Sequence, residues 1–189
     1  MKIGLYFGSF NPIHVGHLII ANHVINETDI QQLWFVVSPH NPLKPSSGLL
    51  DEYNRLHLVK SAINGENKLR TSIIEFHLAK PSYTVDTLAH LTEKYPQHQF
   101  AIIMGSDSFS NLTRWKNYNL IIQNHKLYLY ERPGFKIDNN INAKIEVLNA
   151  PLLQISSTKI REIIKEGKSI RYLVTDNVKD EIDKNGYYK

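Results

Sequence analysis

Lys2 to Glu27 reads KIGLYFGSFNPIHVGHLIIANHVINE, and the fold turns on how that stretch divides. KIGLYF (2–7) is short, apolar and rich in β-formers, which predicts a strand. HVGHLIIANHVINE (14–27) carries its apolar residues at helical spacing, which predicts a helix. Gly8, Ser9 and Phe10 lie between them as a tight turn, with the helix starting near Pro12 or His14. A strand that feeds a helix through a glycine turn is half of a βαβ unit, so a ligand site is expected at that turn, beyond the strand's carboxyl end.

The rest of the chain repeats the alternation. LWFVVS (33–38), RTSIIEF (70–76), FAIIMG (100–105), KLYLYE (126–131) and KIEVLNA (144–150) read as strands. Helical spacing recurs over 51–63, 84–95, more weakly over 111–123, and over 157–167, where Gly167 is placed to stop the helix. This pattern predicts an α/β fold: a Rossmann-like doubly wound sheet, mostly parallel, with helices on both faces. Pro39 to Gly48 is the one Pro, Ser and Gly cluster and reads as a long loop.

A chain of 189 residues, 42% apolar and 21% charged, is of globular composition and has the size of one domain, expected to span 1–189. No segment resembles a signal peptide or a bilayer-spanning run, so a cytoplasmic protein without membrane attachment is expected. The absence of cysteine excludes disulfides, thiolate metal sites and cysteine nucleophiles. A net charge of +4, with no block of Lys and Arg, suits a phosphate-rich ligand better than a nucleic acid. Nothing in the sequence opposes a homo-oligomer.

His14 and His17 fall one helical turn apart on one face of the first turn, where backbone donors and the positive end of the dipole favour an anion. Gly8 would let a ligand approach, Ser9 and Phe10 would offer N–H groups, and Gly16 points to close approach by a phosphate or a neighbouring backbone. Two surface histidines on an ordinary helix would also explain the spacing. A metal would need a third ligand on that face, and His23, six residues on, points elsewhere. The G-x-G-x-x-G dinucleotide fingerprint is absent.

GSFNPIHVGH (8–17) resembles the signature of the nucleotidylyltransferase superfamily, whose H-x-G-H element handles the phosphates of a nucleoside triphosphate. The resemblance implies attack of a phosphate monoester on the α-phosphorus, with pyrophosphate leaving. Imidazolium groups and backbone donors are suited to such a transfer. Near the other end, Ile155, Ser156, Ser157, Thr158, Ile160 and Arg161 resemble the superfamily's second phosphate element. Taken alone, the serines are a good helix cap, while Arg161 offers a bidentate fork.

The middle of the chain narrows the resemblance to the bacterial nicotinate mononucleotide adenylyltransferases. SYTVDTL (82–88) is similar to the stretch with which that family contacts nicotinate, which implies Tyr83 and Thr84 for nicotinate mononucleotide. Gly105, Asp107 and Trp115 resemble an element whose aspartate meets ribose and whose tryptophan stacks on the pyridine, although a core tryptophan is an equal alternative. Arg132, in ERPG (131–134), is grouped with the nicotinate mononucleotide residues, but its residue type suits a structural or phosphate role as well. Lys44, in SPHNPLK (38–44), resembles a loop residue that approaches the phosphates. The chain departs from the family at Phe7, where a second glycine is common, and at Asn11, where aspartate is common.

The resemblance therefore implies His14, His17, Lys44 and Arg161 as catalytic, with Gly8, Ser9, Phe10, Gly105, Asp107, Ile155, Ser156 and Ser157 holding ATP. Mg²⁺ would be carried by the ATP phosphates with no protein metal site. The same chemistry on nicotinamide mononucleotide or phosphopantetheine, or a nucleotide-binding module without catalysis, are the competing readings.

Overall fold

The structure is a computed structural model and describes residues 1–40 and 48–189; Lys44 lies outside the described residues. In chain order the elements are β1 (Lys2–Gly8), α1 (Val15–Glu27), β2 (Gln32–Val37), α2 (Glu52–Ala62), β3 (Leu69–Ser72), α3 (Thr84–Lys94), β4 (Gln99–Gly105), α4 (Ser106–Phe109), α5 (Tyr118–Asn124), β5 (Leu127–Tyr130), β6 (Ile145–Leu148), α6 (Ser157–Lys165) and α7 (Asp176–Asn185). The strands form one sheet in the order β3-β2-β1-β4-β5-β6. Every pairing is parallel. The order runs outward in both directions from the β1/β4 pair, which is the switch point where open α/β sheets bind ligands.

Two cores cover the two faces, as a doubly wound sheet requires. On one face Tyr6, Phe35, Ile103 and Tyr128 pack under apolar residues of α1, α2, α6 and α7. On the other, Ile3, Leu5, Ile102 and Met104 pack under Leu88 and Leu91 of α3 and Ile121 of α5. Leu5 and Tyr6 thus point to opposite faces of β1, the period of two that a strand imposes.

Three segments differ from the sequence expectation. The strand expected over 70–76 ends at Ser72, and Ile74–His77 is a 3₁₀ turn that swings Glu75 inward. The weak helix over 111–123 is broken: a 3₁₀ turn covers Leu112–Arg114, and Asn117, at φ 50°, redirects the chain into α5. The tail after Ser169, which carries no motif, forms α7, whose Val178 and Ile182 are fully buried beside α2. It also reaches the opening motif, because the N–H of Val15 donates to the carbonyl of Leu173 at 2.9 Å. That donor, the first of α1, is therefore taken by protein rather than left for an anion.

Candidate active site

Two cavities meet over the carboxyl ends of β1 and β4. The larger, about 510 Å³, takes in Gly8, Ser9, Phe10, His14, His17, Asp107, Arg132, Ser156, Ser157 and Arg161. The smaller, about 330 Å³, takes in Ser82, Tyr83, Thr84, Gly105, Arg114 and Trp115. Gly8 and Ser9 border both, so the turn singled out in the sequence stands between two ligand spaces.

His14 caps α1 in extended conformation and is buried, its ring stacked on that of His17 with centroids 3.7 Å apart. Burial, with the Arg132 guanidinium nearby, pushes the His14 imidazole down to about 4. His14 is therefore uncharged at neutral pH, and the expectation of an imidazolium fails for it. The backbone N–H of His14 donates to Nδ1 of His17 at 3.3 Å. That bond assigns the proton of a neutral His17 ring to Nε2.

Glycine at two positions leaves room for neighbouring side chains. A Cβ on Gly8 would lie 2.8 Å from the ring of Phe10, and one on Gly16 would lie 3.0 Å from Nδ1 of His14. Phe10 itself sits at φ 45°, with its ring buried against Tyr6, Phe35 and His17. The turn is thus shaped by packing, and its backbone is what it can offer an anion.

The two ends of the chain close on each other here. Arg161 Nη1 donates to the Asn11 carbonyl at 2.7 Å, and the Ser157 hydroxyl donates to the Pro12 carbonyl at 2.8 Å. Ser156 caps α6 by accepting from the N–H of Lys159. Asn11, the departure from aspartate, is buried and uses both ends of its amide: Nδ2 donates to the Gly48 carbonyl and Oδ1 accepts from the N–H of Leu50. A carboxylate could not make the first of these bonds.

Most of the expected residues are brought together, with three displacements. Arg132 lines the larger cavity with the histidines and Arg161, and not the smaller one. Gly105 borders the smaller cavity, and its lack of a Cβ makes room for Asp107, Arg132 and Tyr130. Ile155 lines neither cavity and packs against the core near Gly16. Trp115 borders the smaller cavity and also packs on the core.

Two buried charged residues escape the sequence reading. Arg55 is fully buried and donates four hydrogen bonds, all to carbonyls: Nε to Leu50, Nη1 to Ser9 and Ser38, Nη2 to Pro39. It ties the turn after β1 to the turn after β2 and to the entry of α2. Glu75 is buried beneath the smaller cavity, where its carboxylate accepts from the hydroxyls of Ser82 at 2.8 Å and Thr87 at 3.0 Å, and from Ser38. Burial pushes the Glu75 carboxyl up. The cluster fixes the start of α3 to the end of β2.

The cytidylyltransferase-like family model matches residues 5–163, and the chain belongs to that family of nucleotidyltransferases. Within it the relatives are specific. A protein of Flavobacterium psychrophilum bearing the name probable nicotinate-nucleotide adenylyltransferase is 53% identical over the whole of both chains, and one of Flavobacterium johnsoniae with the same name is 52% identical, again over the whole of both. Among solved structures, the Plasmodium falciparum nicotinic acid mononucleotide adenylyltransferase complexed with NaAD superposes with a TM-score of 0.85 at 25% identity, covering 99% of this chain and 97% of that one. The group within the family is thus the nicotinate-nucleotide adenylyltransferases. Among the described residues no helix is long and apolar enough to cross a membrane.

Proposed function

We propose that this chain transfers the adenylyl group of ATP to nicotinate mononucleotide in the cytoplasm, giving deamido-NAD and pyrophosphate in NAD biosynthesis. The observation that carries the reading is the meeting of two unlike cavities at the Gly8–Ser9 turn, one rich in histidine and arginine, the other lined by Tyr83, Thr84 and Trp115. In this reading the triphosphate occupies the first and nicotinate mononucleotide the second. A phosphate oxygen of the mononucleotide forms a bond to the α-phosphorus of ATP as the bond from that phosphorus to the β-phosphate oxygen breaks, and pyrophosphate leaves with the electron pair.

The work of the protein is positioning and charge stabilisation. Arg161 and Arg132 supply fixed positive charge. His14 and His17 donate to non-bridging oxygens, and Ser9 adds a backbone donor. Asp107 is placed to accept from ribose hydroxyls, and Trp115 offers a flat face to the pyridine. Lys44 is assigned the same charge-neutralising role as Arg132 on family resemblance alone.

Among the described residues no group of three or more His, Asp or Glu side chains converges to hold a metal ion. The carboxylates bordering the larger cavity are those of Asp107 and Glu131, set among arginines and histidines. That donor set fits Mg²⁺ arriving on the triphosphate rather than a protein cage, and the ion would neutralise phosphate charge there. The test is pyrophosphate release from ATP with nicotinate mononucleotide, nicotinamide mononucleotide and 4′-phosphopantetheine offered in turn. Preference for nicotinate mononucleotide is expected; preference for either of the others overturns the substrate assignment.

A further inference from the structure

The floor where the two cavities meet is a pair of tyrosines from strands that are not neighbours. Tyr6 of β1 pairs in register with Ile103 of β4, and Tyr130 at the end of β5 pairs with Gly105 of β4. Gly105 leaves the gap across which Tyr130 leans, since a Cβ there would stand 3.2 Å from Cε2 of its ring. The two rings meet edge to face, centroids 6.0 Å apart, with 3.1 Å between the hydroxyl oxygens. Both tyrosines border both cavities.

The direction of that hydrogen bond follows from burial. Tyr6 is 4% exposed, its ring edged by Phe10, Phe35 and His17, and its hydroxyl donates to Tyr130. A buried hydroxyl left without an acceptor is costly, so Tyr6 keeps its proton on that bond. One lone pair of the Tyr130 oxygen is thereby occupied, and its own proton must point away from Tyr6. Among the described residues the Tyr130 hydroxyl makes no other hydrogen bond than the one it accepts. Arg132 and Asp107 are the charged groups that bear on it. With Arg132 on the same side, an anionic oxygen is the acceptor that suits this donor.

We propose that the Tyr130 hydroxyl, aimed by Tyr6, donates a hydrogen bond to a phosphoryl oxygen at the junction of the two cavities. The proposal rests on the function proposed above, because the junction is where the α-phosphate of one nucleotide meets the phosphate of the other. Tyr130 would then touch the reacting group, and Tyr6 would be a positioning residue acting through it.

Tyr130→Phe removes only an oxygen from a ring that still packs. Its turnover in pyrophosphate release is expected to fall roughly ten- to hundredfold, the effect of losing a hydrogen bond to a charged group. Tyr6→Phe should cost less, since it removes the aim and leaves the donor. Because the two act as one unit, the double variant should be no slower than Tyr130→Phe alone. Unchanged turnover in Tyr130→Phe, or losses that multiply in the double variant, overturns the proposal while an active wild type preserves the functional reading. Wild-type protein that releases no pyrophosphate from ATP and nicotinate mononucleotide overturns both.

Discussion

Arg161 Nη1 donates to the carbonyl of Asn11 at 2.7 Å, spanning 150 positions of chain. With Ser157 on the carbonyl of Pro12, this bond holds the start of α6 against the loop that delivers His14. The guanidinium therefore does two things: Nη1 fixes the loop, while the fork, whose Nη2 also reaches the Thr158 hydroxyl at 3.4 Å, brings its charge to the larger cavity. Arg161→Lys keeps the charge but cannot do both. Turnover is expected to fall roughly a hundredfold, as for a lost transition-state donor, with a loss of about 1 kcal/mol in urea unfolding for the missing bond. A lysine variant matching wild type in both measurements would show that the fork is not needed.

His17 packs against His14 and Phe10 and lines the larger cavity without being needed to build the sheet. His17→Ala should leave the circular dichroism spectrum unchanged and lower turnover by roughly a hundredfold or more. Near-normal turnover in the folded variant would remove His17 from the machinery.

His14 gives stability a pH dependence whose sign is fixed. Its imidazole titrates at about 4 in the folded protein against 6.5 for the unperturbed group. Between those values the unfolded chain takes a proton that the folded chain does not, so stability is full above pH 6.5 and declines as the pH falls toward 4. The free-energy difference across that window is about 3 kcal/mol. Urea unfolding at both ends of the window should show that decline in wild type and a shallower one in His14→Asn. Parallel pH profiles would contradict the burial argument.

Arg55 carries a structural prediction. Arg55→Met leaves the Ser9, Ser38, Pro39 and Leu50 carbonyls without their shared donor. Each buried carbonyl left unpaired costs roughly 1 to 3 kcal/mol, so the variant should lose several kcal/mol of stability. The lysine variant should recover only part of that, since one ammonium has three donors and no planar fork. A Met variant with an unchanged unfolding midpoint would mean that water or a loop shift satisfies those carbonyls.

What is legible in the sequence follows from the range of each signal. β1 announces itself through a short apolar run and α1 through apolar residues at helical spacing, with the glycine turn between them, because both periods are local. The chemistry of the histidines is half legible: spacing puts His14 and His17 on one face, but the charge of His14 depends on Arg132 and on burial that only the folded chain creates. Arg55 passes for an ordinary surface charge, although it stands three and four residues before Leu58 and Val59 and so shares their buried stripe. Glu75 is hidden because a strand reading of 70–76 gives it no reason to turn inward, and its partners Ser82 and Thr87 lie beyond the next turn. Sequence order likewise does not say which side of Gly105 a residue occupies, and the folded chain sets Arg132 on the larger cavity and not on the one that takes in Tyr83, Thr84 and Trp115.

The two cavities give a paired prediction that separates their ligands. Arg132 borders only the larger and Trp115 only the smaller. Arg132→Gln removes a fixed charge from the phosphate side, so the KM for ATP should rise about tenfold while that for nicotinate mononucleotide changes little, in keeping with a hydrogen-bonded charge worth about 1.5 kcal/mol. Trp115→Ala removes a stacking face of roughly 1 kcal/mol, so the KM for nicotinate mononucleotide should rise about fivefold with that for ATP nearly constant. His14 adds a second readout for the first variant. Without the Arg132 guanidinium one of the two forces that lower its imidazole is gone, and its NMR titration should move up toward 6.5. Crossed KM effects, with Arg132 acting on the mononucleotide and Trp115 on ATP, would exchange the two ligand spaces.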